Sequence, residues 1–238
     1  MKQIILNHID VEIWNNLHVQ FQPHSDVNII MGSNGSGKTT FLRNLYQSLA
    51  EDKESKDHII YLPSIDNIAL RDKRKTSNAL SQELDYYIYD MKTGPSLMSL
   101  RMSMLDSSEE KRIEMKAKIA DFQKVINDFF AITGKRIEIE GSKFSVLTDT
   151  GVLPVEALSS GEKQILLILL RVFLLNGNEA IVMIDEPTYS LDIEWQFKLA
   201  TTLTHLNNKA QYFIASLSPA LFGEGWGDKV WYMDQITK

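Results

Sequence analysis

Val27-Asn28-Ile29-Ile30-Met31-Gly32-Ser33-Asn34-Gly35-Ser36-Gly37-Lys38-Thr39-Thr40 is the stretch that decides the architecture of this chain. The run Val27 to Met31 is apolar at nearly every position, as a strand buried on both faces of a parallel sheet must be. Gly32 to Thr39 then fits the phosphate-loop spacing of a glycine, four residues, and Gly-Lys-Thr. Helix signals begin at Gly37 and continue through Leu42, Leu45 and Leu49. Strand, glycine loop and helix together favour nucleotide binding over a merely structural glycine-rich turn. Glycines let main-chain amides curl around phosphates, and the helix start adds a favourable dipole. In this reading Lys38 neutralises phosphate oxygens, the Thr39 hydroxyl ligates magnesium, and Thr40 completes the nucleotide-binding segment.

Outward from this core, short strands are expected at Ile4 to Ile9 and Trp14 to Phe21. Downstream, the charged loop EDKESKD separates the helix from a strand HIIYL. From Ser64 to about Gly134 the pattern turns polar, helical and Met-rich, and Gly94-Pro95 breaks it in two. Its second half spaces Met115, Ile119, Phe122, Ile126 and Phe129 for one helical face, with Ser108 as a helix start. Two alternating strands, RIEIE and KFSVL, follow with Gly141-Ser142 as the turn. The remainder alternates helix at 160–175, strand at 180–184, helix at 193–207 and strand at 211–216.

Two further segments carry chemistry. The apolar run Ala180-Ile181-Val182-Met183-Ile184 ends in Asp185-Glu186-Pro187. A buried strand finishing in adjacent carboxylates suits Asp185 as a magnesium-shell ligand and Glu186 as the general base on a water. A helix-capping acid pair is the plain alternative. Leu158-Ser159-Ser160-Gly161-Glu162-Lys163-Gln164 precedes the helix ILLILLRVFLL. By itself it reads as an N-cap with an acid in the first turn. A helix start offering a serine hydroxyl and a glycine amide is also an anion site.

Composition narrows the class. The chain has 238 residues, 44% hydrophobic and 24% charged, with no Cys. Disulfide frameworks, Cys-ligated metals and thiol nucleophiles are thereby excluded, and the composition fits a reducing cytoplasm. The N-terminal MKQIILNHIDVEIW lacks a secretory pattern, and Ile165 to Leu175, interrupted by Arg171, falls short of the ~20 residues of a bilayer span. A net charge of −6 disfavours sequence-blind wrapping of nucleic acid.

The order of glycine loop, LSSGEKQ, IVMIDEP and Ser190-Leu191-Asp192 resembles the ABC-type ATPase superfamily: Walker A, signature, Walker B and D-loop. Within it, LSSGEKQILLILLRVF and IDEPTYSLDIEWQFKL are most similar to the non-transporter branch of overcoming-lysogenisation-defect and retron-associated ATPases. The resemblance implies an α/β P-loop NTPase in one domain, 1–238. It would have a mostly parallel central sheet, an N-terminal antiparallel β subdomain and an inserted helical lobe at 64–134. It further implies Mg-ATP hydrolysis and a head-to-tail homodimer, with Ser160 and Gly161 of one copy contacting the γ-phosphate held by Lys38 of the other. A separate effector partner in a bacterial defence or stress system is the expected biology.

Two departures from the family pattern stand out. Leu217 occupies the place of the switch histidine, and Ser64 follows the strand where a magnesium-coordinating glutamine is usual. Both losses predict slow turnover. The competing readings are a transporter's nucleotide-binding subunit and a non-hydrolysing ATP-dependent scaffold. A chromosome-maintenance head needs long heptad arms, for which the roughly 120 residues between loop and signature leave no room.

Weaker features complete the sequence reading. Met91, Met98, Met102, Met104 and Met115 concentrate in the lobe, as gap-fillers or as a docking face. Arg71-Asp72-Lys73-Arg74-Lys75 reads as a solvated run before a phosphate-backbone contact. His8, His18, His24, His58 and His205 lack metal-ligand spacing, and Trp14 is expected to pack in the core or at an edge rather than stack on adenine.

Overall fold

The apolar runs that lead into the glycine loop and into Asp185-Glu186 join one parallel sheet, with a single strand between them. The structure is a computed structural model and describes residues 4–51, 56–141, 143–223 and 225–238. The chain divides into two units, Met1–Asn67 with Leu175–Lys238, and Ile68–Leu174.

In the first unit, β3 (Val27–Met31), β4 (Ile59–Leu62), β8 (Ala180–Asp185), β9 (Ala210–Ser216) and β10 (Val230–Tyr232) form a sheet in the order β10-β3-β9-β8-β4. Every pairing in it is parallel. Helix α1 (Lys38–Ala50) packs Phe41, Leu42 and Leu45 into a cluster with Ile30, Ile181, Met183 and Phe213 of the sheet. Helices α6 (Ile193–Leu206) and α7 (Met233–Ile236) belong to the same unit. Two buried amide side chains are satisfied: Asn28 bonds His24, Tyr212 and Trp231, and Gln211 bonds Leu6 and His24.

The N-terminal strands differ from expectation. Residues 4–8 form no strand, and β1 (Ile9–Trp14) pairs antiparallel with β2 (Leu17–Phe21). Asn15 and Asn16 take φ of 34° and 67°, the paired left-handed values of a two-residue hairpin turn, so the expected strand from Trp14 to Phe21 begins only at Leu17. The strand β10 and helix α7 went unread because three apolar residues are too few to show a period.

The second unit contains α2 (Ala79–Tyr89), α3 (Leu97–Leu105), α4 (Glu109–Phe130) and α5 (Ser160–Phe173). It also carries an antiparallel sheet of β5 (Arg136–Glu140), β6 (Lys143–Thr148) and β7 (Gly151–Leu153). The spacing read from Met115 onward is realised: Ile119, Phe122, Ile126 and Phe129 are buried along α4, and Phe122 stacks on Phe173 of α5 at 4.2 Å. Asn127 pairs with both main-chain groups of Ile137 and ties α4 to β5. Part of the expected EDKESKD loop, residues 52–55, and Ser142 of the expected turn lie outside the described residues.

Candidate nucleotide site

The site grows from the C-terminal ends of β3, β9 and β8, three adjacent strands of one parallel sheet, the edge at which such sheets bind ligands. The glycine loop leaves β3. Gly35 and Gly37 hold φ of 77° and 96°, and a Cβ at Gly37 would press to 3.1 Å on Ile13 and Trp14. Gly37 is also the N-cap of α1, which has neither a side-chain cap nor an acid in its first turn. Its first amides therefore lack the partners that helix starts ordinarily recruit.

Lys38 is buried, and its Nζ donates to the carbonyls of Gly32 (2.8 Å) and Ser33 (3.2 Å) while pairing with Glu186 Oε1 at 3.3 Å. Thr39 Oγ1 donates to Asp185 Oδ1 at 3.1 Å. Asp185 Oδ2 and Ser36 Oγ are buried with no hydrogen-bond partner in the protein. Burial pushes the Asp185 carboxyl upward; the Thr39 hydrogen bond opposes this and the neighbouring Glu186 carboxylate adds to it. An unpartnered carboxylate oxygen beside a threonine hydroxyl fits magnesium, which takes hard oxygen donors from one or two protein groups and completes its shell with phosphate and water. The arrangement offers that limited donor set: no cluster of three or more His, Cys, Asp or Glu suited to a metal occurs among the described residues.

Glu186 stands one residue beyond β8 at φ 46°, a left-handed conformation that costs a non-glycine residue about 1–3 kcal/mol and is retained where the surroundings enforce it. Trp14, Asn34 to Thr40, Glu186, Tyr189 and Leu217 line a cavity of about 320 Å³. Trp14, the last residue of β1, is half exposed in this cavity, outside the core, and its ring lies close to Gly37. Leu217 lies in the same cavity with its side chain exposed, and its main-chain N–H, which sequence reading overlooked, donates to Glu186 Oε2 at 3.3 Å. Ser64, at the place of the missing glutamine, spends its hydroxyl locally by accepting from Asn67 Nδ2 at 2.9 Å.

The signature segment is in the second unit. Ser159 is the N-cap of α5; its Oγ accepts from Glu162 N–H and the Glu162 carboxylate accepts from Ser159 N–H, a closed capping box. Ser160 is exposed and Gly161 buried. Glu162 is itself buried and receives Lys135 Nζ at 2.8 and 2.9 Å. Burial alone would raise the Glu162 carboxyl, but the Lys135 ammonium and the hydrogen bonds around it hold it below its ordinary value. Lys135 had no sequence signal, because it lies 27 residues from its partner outside any motif.

Both arginines of the basic run are held by neighbours. Arg71 pairs with Glu83 at 2.6 Å and lies 3.6 Å over the Tyr86 ring, and Arg74 pairs with Asp72 at 3.0 Å. The histidines find separate partners: His18 bonds Asp10, His24 packs against Trp231 and His58 bonds Glu179.

Among curated proteins no significant match is found. Solved structures share the fold. The SmcHead bound to the C-winged helix domain of ScpA is 14% identical, with 91% of this chain and 90% of that one covered at a TM-score of 0.54. A Pyrococcus furiosus protein assigned provisionally as an ABC transporter ATP-binding protein is 17% identical over 98% of both chains at 0.54. A nucleotide-free ATP-binding cassette from an ABC transporter is 16% identical, covering 96% and 87%, at 0.51. No helix among the described residues is long and apolar enough to cross a membrane. The exclusion of a chromosome-maintenance head on arm length does not hold at the level of family: with a family profile matching residues 5–235, the chain belongs to the RecF/RecN/SMC N terminal domain family and has the ATP-binding ABC-type ATPase fold.

Proposed function

We propose that this chain is a slow Mg-ATPase that pairs head to tail with a second copy around ATP and passes the state of that dimer to a partner protein. One observation carries the reading: Lys38, Thr39, Asp185 and Glu186, from two distant segments, meet at the end of one sheet in two direct contacts. In the reaction Lys38 and the loop amides hold the phosphates. Thr39 and Asp185 would hold magnesium, which when bound would neutralise charge on the phosphoryl oxygens. Glu186 takes the proton of the attacking water. In the dimer, Ser160 and Gly161 of one copy complete the site of the other. Trp14, which lines the same cavity, would stack on the base in this reading.

Glu186→Gln tests this directly. Turnover is expected to fall about a hundredfold or more while ATP binding persists and an ATP-bound dimer accumulates on size-exclusion chromatography. Turnover equal to that of the parent would instead establish the non-hydrolysing scaffold.

The partner half of the proposal rests on the resemblance to overcoming-lysogenisation-defect and retron-associated ATPases, and so to a cytoplasmic defence or stress role. Helix α3 supports it locally: its Leu and Met residues are spread around the helix among Ser99, Arg101 and Ser103, and only Leu97 and Met104 are buried, leaving Met102 and Leu105 exposed. Met104 is therefore core. Met102→Glu with Leu105→Glu should keep the fold and ATPase rate and abolish co-purification of the partner; unchanged co-purification would remove α3 from the interface.

A further inference from the structure

If Glu186 is the general base, its orientation is decisive, and the contacts that fix it do not involve the side chain at position 217. Its main-chain N–H donates to Ala215 O at 2.9 Å, Oε1 meets Lys38, and Oε2 accepts the Leu217 main-chain N–H. The exposed leucine side chain is thus incidental to this contact. What matters is where the amide of residue 217 points.

That amide is bracketed by a chain of buried polar groups. The hydroxyls of Thr188 and Ser216 are 2.8 Å apart, and both residues are buried. Ser218 N–H donates to Ser216 Oγ at 3.0 Å, and Ser218 Oγ donates to Gln196 Oε1. Gln196, also buried, donates through Nε2 to Leu191 O at 2.8 Å, with Thr188 O at 3.4 Å. The chain therefore begins and ends on the segment just after Glu186 and passes through both neighbours of Leu217. A network serving only to staple two loops has no need to straddle the residue whose amide holds the carboxylate. Glu186 also stands in a left-handed backbone conformation that its surroundings must maintain.

We propose that Thr188, Ser216, Ser218 and Gln196 are positioning residues for ATP hydrolysis, acting through the Leu217 main-chain amide on the orientation of Glu186. The inference rests on the ATPase reading above. In this chain a hydrogen-bonded loop and a backbone donor steady the base, where the family pattern places a histidine side chain.

A cycle of variants separates this from plain stapling. Thr188→Val removes the hydroxyl at nearly constant volume, and Thr188→Ser keeps it. Misplacement of a catalytic group by about 1 Å costs up to about a hundredfold. Thr188→Val is therefore expected to lower kcat about tenfold or more, with KM and ATP affinity within about twofold, and Thr188→Ser to restore the parent rate. In a Glu186→Gln background, where the base is gone, Thr188→Val should leave the residual single-turnover rate unchanged. Ser216→Ala, which deletes one oxygen from the same chain, should repeat the pattern and covers the case in which Thr188→Val fails to fold. An equal drop in both backgrounds, no drop in the parent, or a rise in KM with kcat intact overturns the positioning role. If Glu186→Gln itself turns over like the parent, the ATPase reading fails first and the inference falls with it.

Discussion

Two helices that the sequence marks as anion sites start in opposite ways. At α1 the N-cap is a left-handed glycine with no side-chain cap and no acid in the first turn. At α5 the start is already closed by Ser159 and Glu162, each bonding the other's main chain. An open N-terminus leaves amides and a dipole for a ligand anion; a closed one has placed its own carboxylate there. The comparison shows that serine and glycine at a helix start do not by themselves make a phosphate cradle. What distinguishes the two is whether a carboxylate of the chain competes. At α5 the competing charge is answered by Lys135, and Ser160 stays exposed.

The largest break in that comparison comes from Lys135→Met. It strands the buried Glu162 carboxylate and should cost about 3–5 kcal/mol of stability by thermal or denaturant unfolding. ATP affinity at the glycine loop should be unchanged. The loss should depend on pH. The Glu162 pKa is depressed in the fold, so its stabilisation is present above the unfolded carboxylate value of about 4.3 and fades as pH falls through the folded one. Parent and variant should therefore converge in acid. If the gap persists at low pH, Lys135 acts by packing and not by charge.

A smaller effect is expected at the open helix. Gly37→Ala forces alanine into a left-handed conformation, at about 1–2 kcal/mol, and pushes its Cβ toward Ile13 and Trp14. Stability should fall by that amount and ATP affinity with it, measured by titration calorimetry. Undiminished affinity would mean that the loop tolerates a reshaped cradle, and the contrast with α5 would lose its force.

How much of this was legible depends on the range of each interaction. The glycine loop, α1 and the capping box at Ser159 are local, and their residues appear in the sequence at the spacing the geometry needs. The apolar face of α4 was equally visible, because a 22-residue helix repeats its period several times. The hairpin at Asn15 and Asn16 was also local, yet Leu17, Val19 and Phe21 drew the strand back through the turn. Other features were not local. Lys135 meets Glu162 across a hairpin and a loop, and the Thr188 to Gln196 chain joins side chains that only the pairing of β8 with β9 brings together.

From sequence alone came the class of chemistry: a phosphate-binding loop, a carboxylate pair at a strand end, and a signature segment in the order of an ABC-type ATPase. Those features need particular side chains at fixed spacing, so they leave a readable trace. Tertiary structure decided that Thr39 and Asp185, 146 residues apart, share a hydrogen bond, and that the amide of Leu217 holds Glu186. Strand order set the first. The second was invisible because nearly every residue carries a main-chain N–H, and only the fold determines which one points at a carboxylate.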